Sequence, residues 1–480
     1  MAEDQSLLLQ NGTVLAHEGD KLKVLRNHDV LIRGNRISRI GERLSPPAGC
    51  KVIDCTRNIV SPGFIDTHHH LWQSQLKGRH GDETLMEYMI SGNLQSYNYS
   101  PEDIFWGQLA GSLESLDAGV TTVVDHAHMT YSPEHVTEAI RATASSGIRA
   151  FFCYAAMRRI SNWSSTMEFQ EDAIPEWWHE TLDSLAASQP FGDNRVHLGL
   201  AFDMHSLPKE TIVSLWEKCR ALGLKLITTH YVAGAMLNSI ELLSDYGLLK
   251  NDILVSHATG ISEADAKTLV ANDIFISSTP DTEFQMGLGI PVAFREDIKS
   301  HASIGIDCHS NNSSDVLTQL RLGLQHARAA DNATASQSGQ YPTVKIKLEE
   351  AFNLGTIQGA KAVNMEEQLG SITEGKLADI VIFNTDTPSM VCAAEQNPLA
   401  AILLHGSIRD INTVIVDGKI RKENGKLCDV SCPDELGGRE AKSLTWTEIA
   451  ERLRESRERI VQKVHGQSGE AALKASPLLL

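Results

Sequence analysis

The chain has 480 residues, of which 42% are hydrophobic, and its formal net charge is −18. This acidic balance argues against a general nucleic-acid-binding protein, which needs basic patches for phosphates. No apolar run reaches the roughly 18 residues that a membrane-spanning helix requires. The acidic start, residues 1–5, lacks the basic and apolar regions of a signal peptide, and the scattered cysteines form no CxxC pair. These features predict a cytoplasmic protein with reduced thiols.

The first 60 residues are typical of short β-strands joined by polar turns. The dipeptides at 11–12 (Asn-Gly) and 34–35 (Gly-Asn) are strong turn signals between apolar runs. We therefore expect residues 1–60 to form one part of a small β domain.

From residue 61 to residue 368, short apolar runs alternate with longer helical patterns. Eight of these runs are predicted strands: 64–68, 119–125, 148–152, 196–200, 224–230, 253–257, 274–278 and 303–307. Near-continuous apolar strands separated by helices favour a parallel sheet that is covered on both faces. Eight such units predict a (β/α)8 barrel, with a doubly wound sheet as the structural alternative. No Gly-rich phosphate loop follows any of the runs.

Strand patterns return after the predicted barrel. Residues 369–430 include an Asp-Gly turn at 417–418, which is typical of a hairpin. We expect them to join residues 1–60 in one small β-sandwich domain beside the barrel. Residues 431–480 form a predicted helical extension, whose amphipathic segment 445–464 packs on the barrel or on a partner subunit.

The run from Ser61 to His70, SPGFIDTHHH, is the strongest functional signal in the chain. Alternate residues of a strand point to the same side, so His68 and His70 face one point while His69 faces away. Two imidazoles aimed together suit a divalent metal, although a His-rich tip can also be a solvated loop.

Three further residues end predicted strands: His230, His257 and Asp307. The carboxyl ends of barrel strands form the active-site face, so all three meet His68 and His70 at one mouth. A single histidine at a strand end is often structural. Three separate strand ends together with the paired histidines predict a metal site instead.

These motifs resemble those of the amidohydrolase superfamily over nearly the whole chain. The segment 62–70 is similar to the family's opening strand, and 119–123 to its second strand. Residues 375–381 and 414–419 resemble the return to the small domain and its closing hairpin. The fourth strand offers no lysine for carboxylation. The chain therefore resembles the mononuclear branch, with cytosine, guanine and S-adenosylhomocysteine deaminases, and its HHHLWQ run is closest to triazine hydrolases and 8-oxoguanine deaminase.

The resemblance implies a (β/α)8 barrel enzyme with one divalent metal, zinc first and iron second. The implied metal ligands are His68, His70, His230 and Asp307. Asp307 would also act as general base towards a metal-activated water, and His257 would stabilise the oxygen that develops from it. A homodimer is common in the family.

One position departs from the family pattern. Deaminases of this family usually carry a glutamate three residues after the strand-five histidine, and here that residue is Ala233. Glu283, after the seventh strand, is the candidate substitute acid, and the alternative is a glutamate that caps or solvates its loop. His309 and His128 are further candidate donors, each with a structural alternative.

The resemblance also implies substrate contacts. Trp72 would stack on a flat ring, and Gln73 would bind a ring carbonyl or amine. His309 is a further candidate substrate contact because it lies two residues after Asp307. Rim packing is the alternative for Trp72.

The sequence therefore predicts a metal-dependent hydrolase that attacks a C–N bond of a small nitrogen heterocycle and releases ammonia or an amine. Ala233 keeps a second reaction class open, a lyase or decarboxylase on the same site. A catalytically dead scaffold is the third class, and the intact histidine set argues against it. No nucleic acid and no membrane partner is expected.

Overall fold

The computed structural model describes residues 6–438 and 441–475. Its strands, numbered in chain order, are β1 (Ser6–Glu18), β2 (Lys21–Arg33), β3 (Arg36–Gly41), β4 (Lys51–Asp54), β5 (Ile59–Pro62), β6 (Phe64–His69), β7 (Val120–Ala127), β8 (Arg149–Ala156), β9 (Ile160–Trp163), β10 (Met167–Phe169), β11 (Val196–Phe202), β12 (Ile227–Val232), β13 (Ile253–Thr259), β14 (Phe275–Ser278), β15 (Ala302–Ile304), β16 (Ile380–Phe383), β17 (Ile411–Val416), β18 (Lys419–Glu423), β19 (Lys426–Leu427), β20 (Val430–Pro433) and β21 (Ala441–Leu444).

The helices follow the same numbering. They are α1 (Leu85–Ser91), α2 (Pro101–Asp117), α3 (Pro133–Ser146), α4 (Glu176–Ser188), α5 (Lys209–Ala221), α6 (Ser239–Asp245), α7 (Glu263–Ala271), α8 (Pro280–Gln285), α9 (Val316–Gln337), α10 (Leu348–Leu354), α11 (Ile357–Ala362), α12 (Ala393–Gln396), α13 (Pro398–Ala400), α14 (Trp446–Val464) and α15 (Gly469–Ala475). A 3₁₀ turn, Leu71–Leu76, follows β6 directly.

Eight parallel strands form the barrel, in the spatial order β6-β7-β8-β11-β12-β13-β14-β15. The backbone closes it, because the amides of Ile306 and Asp307 both donate to the carbonyl oxygen of His68, at 3.0 and 2.7 Å. This closure confirms the predicted (β/α)8 barrel, and the doubly wound alternative is wrong. All eight predicted strands are present, with ends displaced by a few residues.

Burial on both faces explains the apolar strand sequences. Every residue of β7 and of β8 is buried. Phe151, Cys153 and Ala155 of β8 belong to one buried cluster, and Ala150 and Phe152 belong to another. Each strand therefore contributes alternate residues to two cores, as a covered parallel sheet requires.

Both chain ends contribute to the small domain. Its nine-stranded sheet has the order β19-β18-β17-β16-β5-β1-β2-β3, with β4 paired to β1. The N-terminal and C-terminal parts meet where β5 pairs antiparallel with β16. β1 changes its parallel partner from β4 to β5 across an irregular register near Gly12. The two ends thus form one continuous sheet beside the barrel.

A buried ion cluster joins the small domain to the amino end of the barrel. Arg149, the first residue of β8, donates from Nε to Asp379 Oδ2 at 3.1 Å and from Nη2 to Asp417 Oδ1 at 3.1 Å. The backbone amide of Asp417 also donates to Asp379 Oδ1 at 2.7 Å. Burial alone lowers the pKa of Arg149, but the two carboxylates outweigh it and raise the pKa, so the guanidinium stays charged.

The predicted amphipathic helix is α14, and it packs on the barrel. Ile449 and Ile460 are fully buried. Ser456 Oγ donates to Asp103 Oδ1 of α2 at 2.7 Å, and Lys463 Nζ donates to the carbonyl oxygen of Asn98 at 2.7 Å. The division of the chain at residues 60, 368 and 430 stays a prediction.

All eight cysteines are free thiols. Within residues 6–438 and 441–475, no helix combines the length and apolar character needed to cross a membrane.

Candidate metal centre

Five side chains from four strand ends meet at the carboxyl end of the barrel. His70 Nε2 lies 3.2 Å from Asp307 Oδ1, and His68 Nε2 lies 3.5 Å from the same oxygen. His230 Nε2 lies 3.1 Å from His68 Nε2. His257 Nε2 lies 3.9 Å from Asp307 Oδ2. The structure therefore brings together all five residues that the sequence assigned to one mouth.

Hydrogen bonds behind the rings fix how two of the histidines present their nitrogens. His70 Nδ1 lies 2.8 Å from the backbone carbonyl oxygen of His126, which can only accept, so Nδ1 carries the proton. His230 Nδ1 lies 2.9 Å from the carboxylate of Asp203 and donates in the same way. In the neutral rings, Nε2 then presents a lone pair to the shared centre.

This donor set fits a divalent metal. The ligand atoms of His68, His70 and His230 lie within 4.8 Å of one another, and so do those of His68, His257 and Asp307. Imidazole nitrogens and one carboxylate oxygen are the ligands that zinc prefers. The lone pairs of two Nε2 atoms 3.1 Å apart repel each other unless a cation or a proton lies between them. Ligation itself stays a prediction.

The backbone at the centre is held in a costly conformation. Asp307 has φ 69°, and His257 and Ala258 have φ 67° and 57°. The left-handed region costs non-glycine residues about 1–3 kcal/mol each and is concentrated at functional sites. Gly305 allows the last strand to approach, because a Cβ there would lie 2.8 Å from His68 Cβ. This strain lowers the stability of the fold and orients the side chains of Asp307 and His257.

Two residues of the centre escaped the sequence analysis. Asp203 directly follows β11, and its Oδ2 accepts from His126 Nε2 of β7 at 3.0 Å as well as from His230 Nδ1. The ligand atoms of His126, Asp203 and His230 form a third group within 4.8 Å. Both residues obey the strand-end rule that identified His230. They were missed because the predicted strands ended at 125 and 200, one and three residues before them.

Electrostatics at the centre favour charged carboxylates and neutral rings at His68 and His126, whereas Asp203 and Asp307 outweigh burial and raise the pKa of His230. Burial alone raises the pKa of Asp307, but His68, His70 and His257 outweigh it and hold the pKa well below its usual range. His230 and His126 likewise hold the pKa of Asp203 well below its usual range, although burial alone raises it. Burial lowers the pKa of His68 well below its usual value and that of His126 to about 4.

Glu283 lies behind His257 and not in the cavity. Its side chain is fully buried, with Oε2 accepting from Ser278 Oγ at 2.8 Å and Oε1 from the Thr279 amide at 2.7 Å. His257 Nδ1 pairs with Thr279 Oγ1 at 2.9 Å, and Glu283 Oε1 is 3.7 Å from that nitrogen. This geometry favours the capping alternative over the substitute acid.

The predicted substrate contacts Trp72, Gln73 and His309 are all buried behind the cavity wall. Gln73 donates to the Tyr88 hydroxyl at 2.6 Å and accepts from Ser310 Oγ at 2.9 Å. Trp72 donates from Nε1 to His128 Nδ1 at 3.2 Å and stacks edge-on against Tyr99. For Trp72 the packing alternative fits better than substrate stacking.

His309 belongs to a buried chain that starts at the middle histidine of the HHH run. His69 Nδ1 lies 2.6 Å from Asp66 Oδ2, and His69 Nε2 lies 2.8 Å from His309 Nδ1. His309 Nε2 continues to Ser74 Oγ at 3.0 Å. The chain fixes the segments that carry His70 and Asp307, so His309 supports the centre from behind.

The cavity above the centre has an empty volume of about 1160 Å³, counted with the solvent at its mouth. His70, His126, His128, His230, His257, Asp203 and Asp307 form its polar floor. Five of the chain's 11 methionines line it: Met89, Met157, Met204, Met236 and Met286. Methionine is flexible and polarisable, so this wall adapts to apolar or aromatic groups.

Comparison with known proteins agrees with this geometry. Residues 59–421 match the model of the amidohydrolase family. A 5-methylthioadenosine/S-adenosylhomocysteine deaminase of Thermococcus sibiricus is 28% identical over 435 residues, covering 86% of this chain and 93% of that protein.

Two solved structures share the fold. An adenosine deaminase of Xanthomonas campestris, solved with bound zinc, has a TM-score of 0.75 at 18% identity and covers 96% of this chain and 99% of its own. A triazine hydrolase of Arthrobacter aurescens has a TM-score of 0.76 at 19% identity and covers 95% of this chain and 100% of its own.

The chain is thus a barrel hydrolase with a histidine-rich centre at the carboxyl ends of its strands. It belongs to the amidohydrolase family, which confirms the resemblance.

Proposed function

We propose that the protein is a metal-dependent aminohydrolase in which His68, His70, His230 and Asp307 hold one divalent cation. The convergence of their ligand atoms, with Nε2 of His70 and His230 freed by hydrogen bonds at Nδ1, carries this proposal. Zinc suits the donor set best, and iron is the alternative. A bound divalent metal supplies a water that is nucleophilic at neutral pH.

Asp307 is the proposed general base. Its Oδ1 faces His68 and His70, which leaves Oδ2 to accept the proton of the attacking water. The new C–O bond forms at the ring carbon, the C–N bond to the amino group breaks, and the proton held by Asp307 leaves with the amine. The pKa of Asp307 lies well below its usual range, so the carboxylate is ionised before the water attacks.

His257 is the proposed stabiliser of the developing oxygen. It lines the cavity 3.9 Å from Asp307 Oδ2, and Thr279 Oγ1 orients its ring from behind. A polar group that is fixed before the reaction stabilises charge in the transition state without reorganisation.

The proposed substrate is a nucleoside-like nitrogen heterocycle with an apolar appendage. The relative from Thermococcus sibiricus is named for nucleosides that carry thioether groups. The cavity combines a histidine floor with five methionines, which suit a polar ring and an apolar appendage. The ring would lie over the floor and the appendage against the methionines.

Ala233 favours a second candidate, a lyase or decarboxylase on the same centre. Ala233 lies outside the cavity lining, and the carboxylates that line it are Asp203 and Asp307 among the described residues. Without the usual acid, the site suits a reaction that needs no protonation of a leaving amine. Release of CO₂ instead of ammonia from a carboxylated heterocycle would select this candidate.

Ammonia release by the metal-loaded protein tests the first candidate. The panel should include adenosine, 5′-methylthioadenosine, guanine, cytosine, a pterin and an aminotriazine, each assayed with zinc and with iron. We expect turnover of at least one aminated ring and none of its deaminated product. No ammonia from any of them, with one metal bound per chain, would contradict the aminohydrolase. A homodimer and a cytoplasmic location stay predictions.

A further inference from the structure

A second cavity lies at the amino end of the barrel, where the barrel meets the small domain. Its wall includes the last turn of α3, the residues before β11 and the strand β18. The basic residues that line it are Arg141, Arg195, Lys419 and Arg421. The carboxylates in the same lining, among the described residues, are those of Asp193 and the exposed Asp429. This local excess of positive charge contrasts with the net charge of −18 for the whole chain.

Neighbouring carboxylates compensate some of these cations but not all of them. Arg141 Nη2 donates to Glu138 Oε2 at 2.5 Å, so this arginine has its own partner. Arg195 Nη1 and Lys419 Nζ share one acceptor, Asp193 Oδ2, at 3.3 and 3.2 Å. Asp193 therefore balances only one of these two charges.

Arg421 is the cation in this lining that lacks a partner. Its guanidinium forms no hydrogen bond and no ion pair within residues 6–438 and 441–475. Burial, and after it the charge of Arg195, lower the pKa of Arg421 to about 10, so the group is still a cation at neutral pH. The carboxylates that raise this pKa, Asp193 and Asp417, already accept from other cations. The partly buried guanidinium thus loses hydration that no hydrogen bond replaces.

The fold places the guanidinium of Arg421 at this cavity by two features. β18 has a bulge opposite β17, and Arg421 is the residue that the bulge leaves without a partner on the neighbouring strand. Bulges of this kind re-aim a side chain. Gly147, directly after α3, leaves space for the group, because a Cβ at this position would overlap Arg421 Cζ. The guanidinium therefore lies against the end of α3, where residues 144–146 line the cavity.

A purely structural role at the end of α3 is the alternative, because the carboxyl end of a helix attracts cations. Such an end carries about half a unit of negative charge. The Ala144 carbonyl oxygen accepts from Arg195 Nη2 at 3.5 Å, and Arg421 makes no bond of this kind. Arg195, Lys419 and Arg421 together exceed Asp193 by two charges, so the helix end leaves most of the excess uncompensated.

We propose that this cavity binds an oxyanion of the phosphate type, held by Arg195, Lys419 and Arg421. Near neutral pH a phosphate group carries about −1.5 to −2 charges, which matches the excess. Guanidinium N–H donors have the spacing of phosphate oxygens, and the lysine adds a flexible ammonium. The anion joins the small domain to the barrel, because β18 carries two of the three cations and Arg195 directly precedes β11. The site lies at the end of the barrel opposite the metal centre and goes beyond the proposed function.

Isothermal titration calorimetry on the metal-loaded chain tests the site with inorganic phosphate and with glycerol 3-phosphate, at constant ionic strength. We expect saturable binding of at least one probe. Tighter binding of inorganic phosphate would identify a free ion as the ligand, and tighter binding of the ester a phosphorylated small molecule. Binding of neither would refute the proposal.

Arg421→Met ties the binding to this cavity. Methionine keeps an apolar stem and removes the charge, so we expect Kd to rise about 10- to 100-fold. Lys426→Met makes the same change of charge on exposed β19, outside the cavity, and should leave Kd unchanged. Native affinity in Arg421→Met would remove the site, and it is also the result expected if phosphate bound only at the metal centre.

Asp193→Asn tests the charge balance from the opposite side. The variant removes the carboxylate that competes with the anion, and asparagine tolerates the left-handed backbone at this position, where φ is 54°. We expect phosphate to bind about 2- to 5-fold more tightly. Equal or weaker binding would contradict the proposed charge balance and with it the site.

Thermal unfolding separates loss of the ligand from loss of the fold. Without phosphate, Arg421→Met should unfold at a higher temperature than the native protein, because the variant removes an uncompensated cation. Phosphate should then raise the Tm of the native protein more than that of Arg421→Met, since a ligand of the folded state stabilises only a protein that binds it. General salting effects act on both proteins alike. Equal rises in Tm would overturn the inference. None of these measurements depends on turnover, so failure of the proposed function would leave their outcome intact.

Discussion

The two ends of the barrel both bury charged and polar groups, but they treat them differently. At the amino end, Arg149 lies between Asp379 and Asp417, and the backbone amide of Asp417 donates to Asp379 as well. At the carboxyl end, buried ring nitrogens such as His126 Nδ1 and His128 Nε2 have no partner among the described residues.

This difference assigns stability to the amino end of the barrel and activity to the carboxyl end. A buried charge is tolerated when opposite charges and hydrogen bonds compensate it, as they do around Arg149. At the carboxyl end, in contrast, the backbone of His257 and Asp307 is strained. Barrels commonly divide their faces in this way, with chemistry at the top and structural contacts at the bottom.

His230→Ala should have the largest effect on activity. The variant removes one proposed ligand and leaves the Asp203 carboxylate without one of its donors. We expect loss of the bound metal, measured by elemental analysis, and loss of all turnover. His465→Ala, an exposed histidine on the tail, is the matched control. Full metal content with native activity in His230→Ala would remove His230 from the centre.

Asp307→Asn should act on the chemistry more than on the fold. The amide keeps an oxygen for the cation but cannot accept a proton from water. We expect kcat to fall at least about 10²-fold, the usual contribution of a general base, with most of the metal retained. Metal content and kcat must be measured on the same preparation. A native kcat in the metal-loaded variant would assign the base to another residue.

Arg149→Met tests the opposite end of the barrel. The variant leaves Asp379 and Asp417 buried without their cation, which typically costs about 3–5 kcal/mol of unfolding free energy. Denaturant unfolding measures this loss, and Arg454→Met on the exposed face of α14 is the control. The folded fraction should keep its kcat and its metal. If kcat dropped strongly in fully folded Arg149→Met, the amino end of the barrel would contribute to activity as well as to stability.

Much of the fold was predictable because the barrel strands are buried on both faces and therefore have nearly continuous apolar sequences. The ends of the strands were less predictable, since polar residues continue the ladder into the active-site face. Residues 306–307 still pair with β6, and β7 and β11 extend past the predicted ends. The added residues of β7 include His126, and Asp203 directly follows those of β11.

The convergence of His68, His70, His230, His257 and Asp307 followed from strand ends alone. The side chains after the strands did not follow any simple periodicity. Leu71–Leu76 forms a 3₁₀ turn under α2, which turns Trp72 and Gln73 into the core. Side-chain direction in such a turn depends on tertiary packing. The sequence therefore identified Trp72 and Gln73 as candidates but could not predict that their side chains point into the core.

Glu283→Gln should have the smallest overall effect of the four variants. The carboxylate accepts two hydrogen bonds from Ser278 and Thr279 and does not line the cavity, so the variant disturbs a cap and not a proton path. We expect a stability loss of about 1–3 kcal/mol, because the amide nitrogen meets a donor. In contrast, kcat should stay within about threefold, whereas losing a general acid typically costs 10²–10⁴-fold. Glu296→Gln, on an exposed side chain, controls for the change of charge. A 10²-fold loss of kcat with the metal retained would instead make Glu283 the acid that replaces the family glutamate, and chemistry would then extend behind His257 into the barrel wall.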